Sequence, residues 1–366
     1  MSEFELITTE TQLNEICEQF KASKQLALDT EFKRETSYYP IPCLIQIAAE
    51  QKTVLIDPFP IEDFTALKKL LCDNSSCKIL HSGRQDLEVF HLLFDCIPSP
   101  IFDTQIAAAL LGKAHQIGYS ALVNEYFNVE LDKTLTRTDW EKRPLSEKEL
   151  IYAANDVKFL EVLYQRQAEE LEQKNRLNWL REEVEFLFHE TMHDDSLEKV
   201  WKKISRSYKF NSKQRNILFA LNQWREQEAR TRNRARQFII SNEVLMSLAI
   251  SAPQTTSTLN DIDKIPAPVV RRYGDILLDI INSQETQALN IEEDNIGRLS
   301  PEENTLAKAL KKIIKQVASE LDIEDNILCN RKTLEATARG NYSTRLFSGW
   351  RYEVIGKQLE DYIQSH

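Results

Sequence analysis

The apolar run Leu26-Ala27-Leu28 ends in Asp29-Thr30-Glu31. Read as a strand over residues 26–31, it places alternate side chains on one face. Asp29 and Glu31 therefore point the same way, at the end of a run apolar enough to be buried. A buried carboxylate is costly unless paired, hydrogen-bonded or metal-bound. Two side by side repel each other and favour a cation between them. A second acid, Asp86, lies in His81-Ser82-Gly83-Arg84-Gln85-Asp86-Leu87. Apolar spacing at Leu87, Phe90, Leu93 and Phe94 predicts a helix with Asp86 in its first turn. A third segment opens with Ser146 and Glu149 as a capping box and with Leu145 and Leu150 placed as a hydrophobic staple. On the helix that follows, Tyr152 and Asp156 stand at i and i+4 and share a face. Each segment alone has an ordinary reading. Asp29 and Glu31 suit an exposed strand end, Asp86 a helix N-terminus, and Tyr152 with Asp156 a core phenol beside a solvated acid. Together, four carboxylates and one phenol suit a two-metal site that cleaves phosphodiesters.

The chain divides at about residue 172. Before it, candidate strands (26–31, 43–49, 53–57, 77–81) alternate with candidate helices (61–72, 86–94, 104–111, 119–127, 147–173), which is an α/β pattern. After it the pattern is helical, with Asn211 and Gln214 marking one helix start. A polar, acidic stretch runs from about Ser283 to Arg298. Ser300-Pro301-Glu302-Glu303 then combines an N-cap, an N1 proline and a capping-box Glu. At 366 residues two or three domains are expected. The boundaries read as 1–175, a helical link 176–208, a helical domain 209–289 and a further helical domain 299–366.

No apolar run is long enough for a membrane span. Met1 to Glu10 holds three acids and no apolar core for a signal peptide, so a cytoplasmic location is expected. The 6 cysteines show no C-x-x-C pairing, which disfavours structural zinc; reduced, buried thiols are expected. The net charge of −11 is unevenly spread: Lys199 to Ile240 holds twelve Lys or Arg and two acids, a local +10. Aromatics interleave there, at Trp201, Tyr208, Phe210, Phe219, Trp224 and Phe238. A basic stripe with aromatics is an electrostatic footprint for nucleic acid. Phe219 and Trp224 sit at core spacing, whereas Arg230, Arg232, Arg234 and Arg236 are read as phosphate contacts.

These residues resemble ribonuclease D, of the DEDD superfamily of 3′-to-5′ exonucleases. The matching text is Leu28-Asp29-Thr30-Glu31-Phe32, Tyr38-Tyr39-Pro40, Leu44-Ile45-Gln46-Ile47, His81-Ser82-Gly83 to Phe90, Phe102-Asp103-Thr104-Gln105, Thr136-Arg137-Thr138-Asp139-Trp140, Arg143-Pro144-Leu145-Ser146 and Tyr152 to Val157. The text from Ala220 through Trp224-Arg225 to Arg271-Arg272-Tyr273-Gly274 resembles the helicase-and-RNase-D C-terminal (HRDC) domain. The last segment, with Ser348-Gly349-Trp350-Arg351, resembles a divergent second copy.

The resemblance implies a ribonuclease H-like α/β exonuclease domain followed by all-α HRDC-like domains. It implies that Asp29, Glu31, Asp86 and Asp156 hold two divalent ions, Mg²⁺ or Mn²⁺, and that Tyr152 orients the attacking water. With Ile at 151 and Tyr at 152, the tyrosine subtype is implied. The implied reaction trims the 3′ ends of tRNA precursors and other structured RNAs and releases nucleoside 5′-monophosphates. No obligate protein partner is implied. Phe32 is read as packing on the terminal nucleotide or as a core strand residue, and Arg271 and Arg272 as nucleic-acid contacts. Asp103 reads as a helix cap; Trp140 and Arg143 either touch the scissile end or fix their loop. A DNA exonuclease and a catalytically silent nucleic-acid scaffold are the alternatives.

Overall fold

The computed structural model describes residues 4–132, 135, 138–192, 208, 210–283 and 299–365. The basic residues Lys199, Lys202, Lys203, Arg206 and Lys209 and the pair Thr136-Arg137 lie outside them. The chain forms two units: Met1–Lys33 with Pro42–His193 and Arg298–His366, and Arg34–Ile41 with Asp194–Gly297.

The first unit is built on a sheet of order β1-β4-β3-β2-β5-β6. Its strands are β1 (Glu5–Ile7), β2 (Gln25–Lys33), β3 (Ile41–Ala49), β4 (Lys52–Ile56), β5 (Cys77–Leu80) and β6 (Ile101–Asp103). β2 pairs in parallel with β5, and β5 with β6, whereas β3 and β4 are antiparallel. The helices are α1 (Glu10–Phe20), α2 (Thr65–Leu71), α3 (Arg84–Phe94), α4 (Thr104–Leu110), α5 (Tyr119–Phe127), α6 (Glu147–Lys158), α7 (Leu160–Gln173) and α8 (Leu177–Met192). Strand alternation sorts the core. Leu26, Leu28, Ile45 and Ile47 join α1, α2 and α3 in one cluster; Ala27, Ala48 and Ile79 join α4, α7 and α8 in another.

Every strand read from the sequence is present, but β1 and β6, of 3 residues each, are too short to show a period. The helix expected over 147–173 is two helices, α6 and α7, broken at Phe159 (φ −104°, ψ 0°). The cysteine expectation is corrected at one pair: Cys72 and Cys96, which follow α2 and α3 on the same sheet face, form a disulfide with Cα atoms 7.0 Å apart. Cys17, Cys43, Cys77 and Cys329 are free.

Residues 299–365, read from sequence as a separate domain, pack into the first unit. Leu310, Ile314, Leu346 and Trp350 share a core with Leu110, Leu180 and Val184. Trp350 stacks on Trp179 with centroids 4.3 Å apart and planes at 12°. Its indole N–H donates to Glu183 at 2.8 Å, and Glu183 also takes Arg345 (2.5 Å) and Arg351. Arg176 donates to the carbonyls of Leu110 and Leu321, both at 2.6 Å. A fragment ending near residue 175 therefore lacks part of its own core.

The second unit packs helices Ser212–Thr231, Asn242–Ser251 and Ala267–Ser283 around Ile217, Leu221, Leu245, Leu248 and Leu277. The Asn211 capping box is formed. Phe219 and Trp224 pack against this core as expected. The segment 34–41, which leaves β2 directly, belongs here: Tyr38 is in the same core, and Ala235 N–H donates to the Thr36 carbonyl at 2.8 Å.

Trp350 is 2 % exposed, so Trp350→Ala opens a cavity and is expected to cost about 3–5 kcal/mol. Denaturant unfolding followed by circular dichroism measures this. A loss below about 1 kcal/mol would show that the C-terminal helices are not part of the first unit's core.

Candidate active site

Asp29 at the middle of β2 and Glu31 two residues on stand on an interior strand of the sheet. Alternation puts them on the face of Ala27, toward α6 and α7. Thr30 points to the other face, toward α3, where its hydroxyl donates to Asp86 Oδ1 at 2.5 Å. Asp86 is buried in the first turn of α3. That turn is set by Asp103, which accepts N–H bonds from Ser82 (3.2 Å) and Gly83 (2.9 Å) and also caps α4 through Gln105 and Ile106. A Cβ at Gly83 would stand 2.7 Å from that of Leu80, so this tight entry to α3 needs glycine. Ser146 caps α6 with the full capping box, and α6 carries Tyr152 and Asp156.

The four acids converge electrostatically. Burial raises the pKa of Asp29 well above the usual range, and the charges of Asp86, Asp156 and Glu31 add to it. Glu31 is pushed to about 8 by burial and then by Asp156 and Asp86. Burial takes Asp156 to about 7 and Asp86 to about 6, the latter held down by the Thr30 hydroxyl. Among the described residues no three His, Cys, Asp or Glu side chains close around one point as a finished ion cage. The arrangement is one of like charges gathered in a poorly solvated place. An all-oxygen donor set of this kind fits a hard divalent cation.

Tyr152 feels the same group. Burial raises its pKa, followed by the charges of Asp156, Glu31 and Asp29. The phenol is therefore neutral at physiological pH and able to donate, not to act as a base. Its ring lies 6.1 Å from that of buried Trp140.

Arg143 fixes its loop. It binds Asp57 through two bonds (2.6 and 2.9 Å) and donates to the Trp140 and Cys43 carbonyls. Lys33 ties the same loop through Glu141 at 2.7 Å. Phe32 is half-buried and, by alternation, lies on the face of β2 opposite Asp29 and Glu31. His81 is held between the Thr104 hydroxyl (2.9 Å) and the Ile117 carbonyl (3.0 Å).

Sequence reading missed Thr30 and Tyr119. Tyr119, at the start of α5, meets the backbone on either side of Asp156: its hydroxyl donates to the Asn155 carbonyl at 3.1 Å and accepts the Phe159 N–H at 3.0 Å. No local signal reveals this, since the partners lie about forty residues apart.

Three arginines of the 230–236 row are ion-paired. Arg236 and Arg230 bond to Glu226 (2.5 and 3.2 Å) and to Tyr38, and Arg232 pairs with Glu228. Arg234 lies 5.7 Å from the centre of the Phe238 ring. Arg271 and Arg272 are exposed on helix Ala267–Ser283.

A mixed sheet with four clustered carboxylates and a neutral tyrosine defines a 3′-to-5′ exonuclease of the DEDD class. Comparison with known proteins agrees: the family described as 3'-5' exonuclease matches residues 4–172, and the HRDC domain family matches residues 214–281. Ribonuclease D of Pseudomonas paraeruginosa (strain PA7) is 32% identical over 370 residues, covering 99% of this chain and 98% of that protein. Ribonuclease D of Escherichia coli (strain K12) is 32% identical over 373 residues, covering 99% of both. The crystal structure of Escherichia coli RNase D superposes with a TM-score of 0.90 over 99% of each chain. The catalytic core of RRP6 from Trypanosoma brucei, 22% identical with a TM-score of 0.62 over 78% of this chain and 80% of that one, shares the fold. The chain belongs to the ribonuclease D family, and that family implies dependence on divalent metal.

The raised carboxyls give a pH prediction. An ion held by Glu31, Asp156 and Asp86 would have to displace their protons, so its affinity is expected to rise with pH between about 6 and 8. In the metal-free protein the sign for stability is opposite. Carboxyls whose folded pKa exceeds the unfolded value stabilise the fold at low pH, and that contribution is lost as pH rises through about 6 to 8. Mn²⁺ titration calorimetry in buffers of differing ionisation heat should show proton release. Affinity independent of pH across this window would contradict the electrostatics.

Proposed function

We propose that the chain is a hydrolase that removes nucleotides one at a time from the 3′ ends of structured RNAs, tRNA precursors among them, with two divalent ions, Mg²⁺ or Mn²⁺. The observation that carries this reading is the gathering of Asp29, Glu31, Asp86 and Asp156 where burial holds all four pKa values up and the neighbouring acids raise those of Asp29 and Glu31 further. Such a group has no structural merit and needs a counter-charge. Its Escherichia coli relative is an exoribonuclease involved in structured RNA processing, which supports RNA as the polymer.

Asp29, Glu31, Asp86 and Asp156 are the residues that would hold the ions. Bound there, such ions supply an activated water at neutral pH and offset charge on the departing 3′-oxygen. Thr30 fixes the Asp86 carboxylate so that one oxygen stays turned toward the hydroxyl and the other is left for the site. Tyr152, held neutral by burial and then by its acidic neighbours, donates a hydrogen bond that orients the water or a phosphate oxygen. The products are nucleoside 5′-monophosphates.

The test is digestion of 5′-labelled RNA and DNA strands of one sequence. RNA should shorten stepwise from its 3′ end, stop in EDTA and resume with Mg²⁺ or Mn²⁺. Asp29→Asn should abolish cleavage while the melting temperature holds. Tyr152→Phe should slow the reaction about 10²- to 10⁴-fold with metal affinity kept. Undiminished cleavage in EDTA or by Asp29→Asn would sink the reading. Equal or better use of DNA would favour the DNA alternative.

The phosphate-binding proposal now rests on the exposed guanidiniums of Arg234, Arg271 and Arg272 in the second unit. Replacing these three with Gln should weaken RNA binding alike for all sequences. It should flatten the log-affinity against log-salt plot by about 0.7–0.9 for each phosphate no longer neutralised. An unchanged slope would show that these arginines only face water.

A further inference from the structure

We infer that Tyr119 is a positioning residue for Asp156, because its hydroxyl is inserted between the Asn155 carbonyl and the Phe159 amide and so sets the backbone that carries the carboxylate. The inference rests on the reading of Asp156 as a metal-holding residue.

In an unbroken α-helix the N–H of residue 159 would bond to the carbonyl of residue 155. Here the two groups share the Tyr119 hydroxyl instead, which donates to Asn155 at 3.1 Å and accepts at 3.0 Å from the Phe159 N–H, a donor that also faces the Val157 carbonyl. Phe159 leaves helical geometry, α6 ends at Lys158 and α7 starts at Leu160. A side chain inserted into the hydrogen-bond ladder is a known cause of sharp helix kinks. Asp156 is the residue immediately after the opened carbonyl, within the parted turn. Both backbone groups remain satisfied, so the opened turn carries no desolvation penalty.

Tyr119 itself is well founded. It begins α5 directly after Gly118. Its ring packs 5.6 Å from that of His81, which Thr104 and the Ile117 carbonyl hold in place. It also lies against the small cluster of Leu122, Val123 and Leu163, to which Phe159 contributes. The position of Asp156 is thereby referred to β5, α4 and α5 as well as to its own helix. This gives an otherwise unplaced, half-buried phenol a role at the site.

Without the hydroxyl, Phe159 N–H can return to the Asn155 carbonyl, which straightens the junction and turns Asp156. Tyr119→Phe in the full chain should therefore fold. It should lose about 10- to 100-fold in Mn²⁺ affinity by calorimetry, the usual effect of removing a group that orients a ligand. Its kcat should fall by a similar factor on a short RNA, with KM unchanged. Installing 4-aminophenylalanine at position 119, which keeps a donor and an acceptor there, should restore most of both.

Tyr126→Phe is the control. Tyr126 lies on the same helix, but its hydroxyl meets Glu170 at 3.4 Å and does not touch α6. It should match the parent in metal affinity and kcat. Asp156→Asn in the same titration separates the two readings. If Asp156→Asn keeps parental affinity, Asp156 is not a ligand and the inference falls with that reading. If Asp156→Asn loses affinity while Tyr119→Phe keeps both affinity and kcat, the inference alone is overturned. A Tyr119→Phe protein that does not fold, or whose losses Tyr126→Phe reproduces, also overturns it, since the role is then structural.

Discussion

Four like charges held in one poorly solvated place are the constraint on which the first unit is organised. Each carboxylate there is unfavourable by burial, and like-charged neighbours make it worse for Asp29 and Glu31. A fold left to minimise its own energy would splay these side chains into water. This one prevents that with rigid supports drawn from separate elements. Thr30 reaches from β2 to grip Asp86. Asp103 stitches the Ser82-Gly83 turn to the start of α4, fixing where α3 begins. Tyr119 holds the end of α6. None of these three need touch substrate, yet each determines where an acid stands. The disadvantage in stability and the capacity for chemistry have the same origin, because a site short of counter-charge is one a divalent ion fills.

Much of this was legible in the residues. The period of 2 at Asp29-Thr30-Glu31 placed two acids on one strand face, and the period of 3.6 placed Tyr152 and Asp156 on one helix face. The Ser146 capping box located the start of α6 to the residue. These are local rules, and local rules suffice where the partner is a few residues away. What escaped was held by distant partners. The break at Phe159 follows no proline or glycine and cannot be read from residues 147–173, since its cause is a hydroxyl at position 119. The disulfide between Cys72 and Cys96 depends on two helices packing on one sheet face. β1 and β6 are strands only because a neighbour supplies their hydrogen bonds.

The basic stripe shows a different limit. Counting twelve cations against two acids between Lys199 and Ile240 treats each charge as free. The two acids, Glu226 and Glu228, pair with three of the four arginines in the 230–236 row. Glu226 collects Arg230 and Arg236 at a site where Tyr38 also bonds, so its carboxylate is satisfied although buried. A buried pair of this kind is weak evidence for net stability. Its clearer effect is geometric: it pins segment 34–41 to helix Ser212–Thr231. Charge composition marked the right region, but pairing decides which of its cations still have a field to offer a phosphate.

That pinned segment alters how the chain should be divided. Boundaries read from composition run in sequence order, and the pattern change near residue 172 invites a cut there. Segment 34–41 is continuous with β2, beginning three residues after Glu31, and it contributes Tyr38 to the second unit's core. Residues 299–365 return to the first unit and bury Trp350 against Trp179. Each unit is therefore assembled from stretches that are distant in sequence. A deletion of residues 194–297 leaves Tyr38 without its core, and a truncation at 175 leaves Leu110 without Leu310 and Ile314. The compact unit that carries the acids also takes in residues 299–365.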